Sequence, residues 1–234
     1  MGDVEPAASE LSDSAEPIEP KASISRDMTP LKKLKHLACR NLPWILLLAT
    51  GCVTSPGPDI KSATVKLIAL DLDTMKVAES SGFFVRADGM LVTCRHAVHN
   101  KELLAVILAD GSRRQVIGLV NEDAEHDLAL LRIKGNGFTP LPVSGNLPVD
   151  GRPLRASTKF SVDDARYLGQ EQGLIVFTCP SVREGSSGGV LVDGGGEVVG
   201  IICGAFDDRP DECVAVPTSH ALPLLQPSLH SRGD

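Results

Sequence analysis

From about residue 60 onward, short apolar runs alternate with turn residues along the chain. Apolar runs of this length, bounded by Gly, Pro, Asn and Asp, are typical of β-strands. Several runs are joined by Asp-Gly pairs, which favour short hairpins because both central residues of such a turn need a positive φ. The pattern predicts eleven strands, at 64–70, 82–86, 90–94, 103–108, 114–120, 128–133, 153–157, 174–178, 189–192, 198–203 and 213–216.

Eleven short strands are too many for one flat sheet of this length. They predict an all-β fold of two six-stranded antiparallel β-barrels, the first at 60–135 and the second at 150–220. A short C-terminal helix is expected at 221–225. The composition agrees, because aromatic residues make up only 3% while the chain holds 22 Gly and 16 Pro.

Charge is distributed unevenly, although the net charge is only -7. Residues 1–27 contain seven acidic and two basic residues and few large apolar ones. Such a composition predicts a disordered acidic extension. The Lys and Arg residues of the second half are scattered, and without a basic stripe we expect no nucleic-acid partner.

Residues 28–51 have the parts of a secretory signal. Four basic residues precede the apolar run 42–49, and small residues lead to Cys52. The run is too short to cross a bilayer, which takes about 20 residues. The segment therefore predicts export. Because a signal is best read at the N-terminus, we expect translation to begin at Met28, the alternative being a cytoplasmic tail before a poorly formed anchor.

The end of this segment resembles a bacterial lipoprotein signal. The resemblance implies that Cys52 is lipidated and anchors the protein to a membrane of the periplasm or cell envelope. Ala49 stands where Leu is usual, and ordinary cleavage after Gly51 is the alternative. Residues 52–62 are then expected to be a tether, 63–226 the folded domain and 227–234 a tail.

Four further cysteines lie in the exported part, an even number that suits an oxidising compartment. Cys203 and Cys213 flank a turn-rich stretch between two predicted strands, where they could form a hairpin disulfide. Cys94 and Cys179 are the other pair, but no pattern brings them together. No Cys or His ligand spacing predicts zinc, so we expect no metal and no cofactor.

Three segments carry the candidate chemistry. His96 follows a predicted strand, Asp127 opens the apolar run 128–133, and Ser187 lies within Gly185-Ser186-Ser187-Gly188-Gly189. A serine hydroxyl needs a base to take its proton, and an imidazole held by a carboxylate supplies one. The order His, Asp, Ser differs from that of α/β-hydrolase esterases, in which the serine comes first.

With these motifs in order, the chain resembles the chymotrypsin-like serine proteases, and in particular their bacterial HtrA-like branch. The resemblance implies His96, Asp127 and Ser187 as the catalytic triad and the N–H groups of Gly185 and Ser187 as the oxyanion hole. It also implies Ser181 at the floor of the specificity pocket, and hence an uncharged, small-to-medium apolar residue before the cleaved bond.

The resemblance implies a serine endopeptidase that acts on polypeptide substrates. An inactive protease-fold lipoprotein that serves as a binding or scaffold module is the alternative. HtrA-like enzymes usually carry a PDZ domain, and since nine residues follow Leu225 we expect none here. The oligomeric state is left open.

Overall fold

The computed structural model describes residues 59–226. Seven strands form the first sheet, in the order β5-β4-β1-β2-β3-β7-β6, with every neighbouring pair antiparallel. They are β1 (Thr64–Asp71), β2 (Val77–Phe84), β3 (Met90–Cys94), β4 (Lys101–Ile107), β5 (Arg113–Arg114), β6 (Val116–Asp123) and β7 (Leu128–Ile133).

Six further strands form a closed antiparallel barrel, in the order β10-β13-β12-β11-β8-β9. They are β8 (Leu154–Ser157), β9 (Val162–Glu171), β10 (Leu174–Thr178), β11 (Val190–Asp193), β12 (Val198–Ala205) and β13 (Cys213–Pro217). Short helices flank the strands: α1 (Ile60–Ala63), 3-10 turns at Arg95–Ala97 and Thr218–His220, and α2 (Leu222–Leu225).

The all-β class, the two β units and the short C-terminal helix are confirmed, with differences of detail. The second unit is a closed six-stranded barrel, but the hydrogen-bonded ladder of the first has seven strands and stays open, with β5 and β6 at its edges. The sequence pattern also missed β9, because its residues alternate between partly buried and exposed positions and carry mostly polar side chains.

The folded part of the chain begins earlier than the sequence predicts. The predicted tether includes residues 60–62, yet Ile60 is buried and belongs to the helical turn α1. The Asp59 carboxylate caps this turn by accepting from the N–H groups of Lys61 and Ser62. The predicted acidic extension, the signal, Cys52 and the tail at 227–234 lie outside the described residues.

The apolar core continues across the seam between the two units. Its larger cluster combines Leu91 and Leu131 of the first sheet with Val190 and Ile201 of the barrel. A smaller cluster fills the barrel interior around Phe177. Between residues 59 and 226, no helix has the length and apolar character needed to cross a membrane.

A buried pair of hydroxyl groups joins the two units at one end of the seam. Thr64 Oγ1 on β1 lies 2.8 Å from Ser157 Oγ on β8 and donates to the Ile60 carbonyl, 2.9 Å away. Both residues are at most 5% exposed, so water cannot replace a lost partner. A buried polar group without a partner costs about 1–3 kcal/mol.

We therefore predict that Thr64→Val and Ser157→Ala each lower the free energy of unfolding by about 1–3 kcal/mol. The double variant should lose less than the sum of the two, because the second substitution removes a group already unpaired. Urea unfolding measures all three. The exposed Thr139, changed to Val, is the control and should shift stability by less than about 0.5 kcal/mol. Strictly additive losses would show that the two hydroxyls do not interact.

Candidate active site

His96 stands where β3 leaves the buried core. All five residues of β3 are buried, and the 3-10 turn Arg95–Ala97 follows without a break. The turn lifts the imidazole out of the sheet, so the His96 side chain is 50% exposed. One face of the ring is thereby open to a cleft while its backbone remains fixed to the strand.

Asp127 holds this imidazole through two hydrogen bonds. Its Oδ1 accepts from the His96 backbone N–H at 2.8 Å, and its Oδ2 lies 2.5 Å from His96 Nδ1. Its carbonyl accepts from the Arg95 N–H at 2.8 Å. Asp127 has a φ of +55°, in the left-handed region that Asp enters more readily than most residues. The turned backbone places its carboxylate beneath the ring.

The hydrogen bonds keep the carboxylate ionised. Partial burial alone raises the pKa of Asp127, but the hydrogen bonds from the His96 ring and amide and the charge of Arg95 act against it. The result is a pKa below the ordinary value of an aspartate. An ionised carboxylate accepts a hydrogen bond from Nδ1–H, which keeps the proton on Nδ1 and leaves the lone pair of the imidazole on Nε2.

Ser187 lies across the cleft from His96. Both line a cavity of 510 Å³. Ser187 Oγ donates to the Cys203 carbonyl at 3.3 Å, and no hydrogen bond between Ser187 and His96 is present among residues 59–226. Hydrogen bonds between catalytic groups are often long or misaligned in a free enzyme and tighten when substrate binds.

The Gly-rich loop around Ser187 is fixed by hydrogen bonds that the sequence motifs did not indicate. Ser81 Oγ donates to the Gly185 carbonyl at 3.2 Å and accepts from the Lys159 N–H at 3.0 Å. The buried Ser186 accepts from the Arg183 N–H at 3.0 Å through its hydroxyl. In the described part of the chain, the N–H groups of Gly185 and Ser187 have no acceptor.

An ion pair lies directly beneath this loop. Lys159 Nζ is 2.9 Å from Glu79 Oε2, and the lysine side chain is only 2% exposed. A Cβ placed on Gly185 would lie 2.6 Å from Lys159 Nζ, and Gly185 has a φ of +82°. A residue other than glycine would therefore be strained there and would displace the lysine.

Ser181, expected at the floor of the specificity pocket, is partly buried just after β10. The chain turns after β10, with the Val182 N–H bonded to the Cys179 carbonyl, and Val182 rather than Ser181 lines the cleft. The Ser181 hydroxyl lies 3.2 Å from Cys179 Sγ.

The expected disulfide between Cys203 and Cys213 does not form in this structure. Its four described cysteines, Cys94, Cys179, Cys203 and Cys213, are all free thiols. A register shift in β12 places Cys213 opposite Ala205, and Cys213 faces the barrel interior while Cys203 borders the seam.

Two of these thiols adjoin the His96–Asp127 pair. Burial, together with the nearby Cys203 and Asp127, raises the pKa of Cys94 well above its ordinary value. Burial and Asp127 raise the pKa of Cys203 to about 11. The ligand-type atoms of Cys94, His96 and Asp127 lie within 4.8 Å of one another.

Comparison with known proteins agrees with this arrangement. The family model of the trypsin-like peptidase domain matches residues 80–201, which include the strand before His96, Asp127 and the Ser187 loop. The chain belongs to the trypsin-like peptidase family.

The curated relatives of the chain include HtrA-type proteases. Serine protease HTRA1 of Xenopus tropicalis is 34% identical over 143 residues, which cover 53% of this chain and 31% of that protein. Serine endoprotease DegS of Escherichia coli K12 is 28% identical over 164 residues, or 62% of this chain and 44% of DegS. The chain thus spans less than half the length of each of these two relatives.

Solved structures show the same fold. The serine endoprotease from Yersinia pestis superposes with a TM-score of 0.60 at 24% identity, over 70% of this chain and 61% of that one. The active form of the Rv3671c protease from M. tuberculosis gives a TM-score of 0.60 at 20% identity, over 72% and 86% of the two chains.

Proposed function

We propose that this protein is a serine endopeptidase with His96, Asp127 and Ser187 as its catalytic triad. The observation that carries the proposal is that His96, held by two hydrogen bonds to Asp127, lines the same cleft as a serine in a Gly-rich loop. In the proposed reaction His96 Nε2 takes the Ser187 proton, Oγ attacks the substrate carbonyl, and the amine departs with that proton. Water then hydrolyses the acyl-enzyme by the same path.

The free N–H groups of Gly185 and Ser187 are the proposed oxyanion hole. An N–H group can bind an oxyanion only if no protein acceptor already takes its hydrogen bond. Both N–H groups meet this condition in the described part of the chain. Loss of one such donor typically raises the barrier by about 3–4 kcal/mol. The bonds from Ser81 to Gly185 and from Ser186 to Arg183 support this role, since they fix the loop in advance of the reaction.

We predict that a fluorophosphonate probe labels the native protein and fails to label Ser187→Ala. Asp127→Asn should slow labelling on the order of 10⁴-fold, because an amide no longer holds the proton on Nδ1. The labelling rates are measured by in-gel fluorescence at successive times after the probe is added.

Ser80→Ala is the matched control, because Ser80 lines the same cleft without contacting the triad. It should label at the native rate. Equal labelling of native protein and Ser187→Ala would contradict the triad and favour the inactive binding module.

The walls next to Ser187 favour an uncharged residue before the cleaved bond. Val182, Gly204 and Ala205 line the cleft that contains Ser187. Its charged lining residues are either exposed, as Arg183, Glu184 and Asp207 are, or already paired, as Glu79 and Lys101 are. Burying a substrate charge against apolar walls without a partner is costly. We therefore propose a preference for small-to-medium apolar residues, with these walls and the uncharged Ser181 as the specificity pocket.

Gly204→Val tests this pocket, because a Cβ at Gly204 meets no atom within 4 Å and the fold tolerates it. We predict that cleavage of peptides with Leu before the bond falls at least tenfold relative to peptides with Ala. Gly118→Val, on β6, is the control, since a Cβ there also meets no atom within 4 Å. The measurement is kcat/KM on a matched peptide series, and a strong native preference for Arg would contradict the proposal.

We also propose that the protein is exported and anchored in the bacterial cell envelope by a lipid on Cys52. The support is the order of basic residues, the apolar run 42–49 and Gly51-Cys52. Its substrates are then polypeptides of that compartment.

Intact mass of the membrane-extracted protein tests this anchor. We expect a chain that begins at Cys52 and carries added lipid mass, and a Cys52→Ser variant without that addition. Recovery of an unmodified chain cleaved after Gly51 would contradict lipid anchoring, and peptides from residues 3–26 would contradict a start at Met28.

A further inference from the structure

One thiol next to the triad has no part in the proposed reaction. Cys94 ends β3, is 0% exposed, and donates its S–H to the Ile202 carbonyl at 3.2 Å. It does not line the cleft, but it shares the Ile202 carbonyl as an acceptor with the N–H of Gly188 in the Gly-rich loop. Its position is nevertheless tightly set, because it pairs in register with Leu128, the residue after Asp127, and lies two residues before His96.

This register brings three metal-ligating side chains together. The sulfur of Cys94, a ring nitrogen of His96 and a carboxylate oxygen of Asp127 lie within 4.8 Å of one another. Thiolate, imidazole and carboxylate are the groups that zinc takes as ligands. No sequence spacing revealed the set, because Asp127 joins it only through the pairing of β3 with β7.

The geometry needs only a small adjustment to hold an ion. Zinc lies about 2.0–2.3 Å from such ligands, so neighbouring ligand atoms of a tetrahedral site are roughly 3.3–3.7 Å apart. Separations of at most 4.8 Å must contract by no more than about 1.5 Å, and the 2.5 Å contact between His96 Nδ1 and Asp127 Oδ2 must open by about 1 Å. The His96 side chain is half-exposed and can turn.

The cluster is reachable from two sides. His96 borders the cleft that contains Ser187, and Asp127 borders a second cavity of 560 Å³ that also contains His126 and His220. Water from either cavity can fill the fourth position of a tetrahedral ion. An ion therefore has both an entry path and a complete ligand set.

We infer that Cys94, His96 and Asp127 form an inhibitory zinc site. The ion takes the Cys94 sulfur as thiolate, His96 Nδ1 and an Asp127 oxygen. The thiol proton leaves to solvent, the Nδ1 proton moves to Nε2, and no electrons are transferred. With Nε2 protonated, the ring cannot accept the Ser187 proton. The inhibition, though not the binding, rests on the proposed function.

Cobalt(II) tests the binding without any need for activity, because a thiolate bound to cobalt gives a charge-transfer absorption in the near ultraviolet. We expect this absorption when the purified protein is titrated with CoCl₂, and its loss in Cys94→Ser. The variant keeps the size of the side chain and a donor for the Ile202 carbonyl. Its folded state is checked by urea unfolding.

Cys179→Ser is the matched control, a buried thiol in the barrel interior away from the triad. It should keep the full absorption. Absorption that persists in Cys94→Ser, is lost in Cys179→Ser, or never develops in native protein would overturn the site.

Fluorophosphonate labelling tests the inhibition separately. Excess Zn²⁺ should slow labelling of the native protein and of Cys179→Ser at least tenfold, with recovery on addition of EDTA. The ratio of rates with and without Zn²⁺ should be near one for Cys94→Ser. Cobalt binding without slowed labelling would leave the site in place and overturn its inhibitory role. Failure of labelling without any metal would instead refute the proposed function.

Discussion

The structure depends on one close approach of backbones, where Gly188 of the Gly-rich loop meets β2. A Cβ on Gly188 would lie 2.1 Å from the Ser81 carbonyl oxygen, and Gly188 has a φ of +84°. No other residue fits both constraints. The contact is secured on both sides, because the Ser81 N–H donates to the Ser187 carbonyl and the Gly188 N–H to the Ile202 carbonyl. The strand beside β3 is thereby fixed against the loop that carries Ser187.

The position of His96 relative to Asp127 follows from strand pairing. β3 and β7 run antiparallel with Cys94 opposite Leu128, so the residues just beyond the strand ends meet. The Arg95 N–H then bonds to the Asp127 carbonyl, and the His96 N–H to the Asp127 carboxylate. These bonds follow from the pairing of β3 with β7, whereas the position of Ser187 follows from packing between the two units. The site therefore combines a rigid His96–Asp127 pair with a separately anchored serine.

The sequence alone predicted the features whose residues are neighbours along the chain. Eleven of the strands show up as apolar runs, and the three chemical motifs mark strand ends, which the fold brings to one seam. The sequence did not predict features that depend on contacts between residues far apart along the chain. The residues of β9 alternate between partly buried and exposed positions and form no apolar run. The hairpin that suggested a disulfide contains a register shift, which no residue count reveals. The hydrogen bonds of Ser81 and Lys159 likewise span about 80 residues or more.

The hydrogen bond made by the Ser187 hydroxyl affects how far this side chain must move before the proposed reaction. In this structure it donates to the Cys203 carbonyl at 3.3 Å, a long bond for two oxygen atoms. A neutral hydrogen bond of ordinary length contributes about 1 kcal/mol net, so this one opposes rotation of the side chain only weakly. The backbone around it is fixed by the Ser81, Ile202 and Arg183 bonds and need not move. The Ser187 side chain can therefore rotate away from the Cys203 carbonyl without a change in the loop backbone.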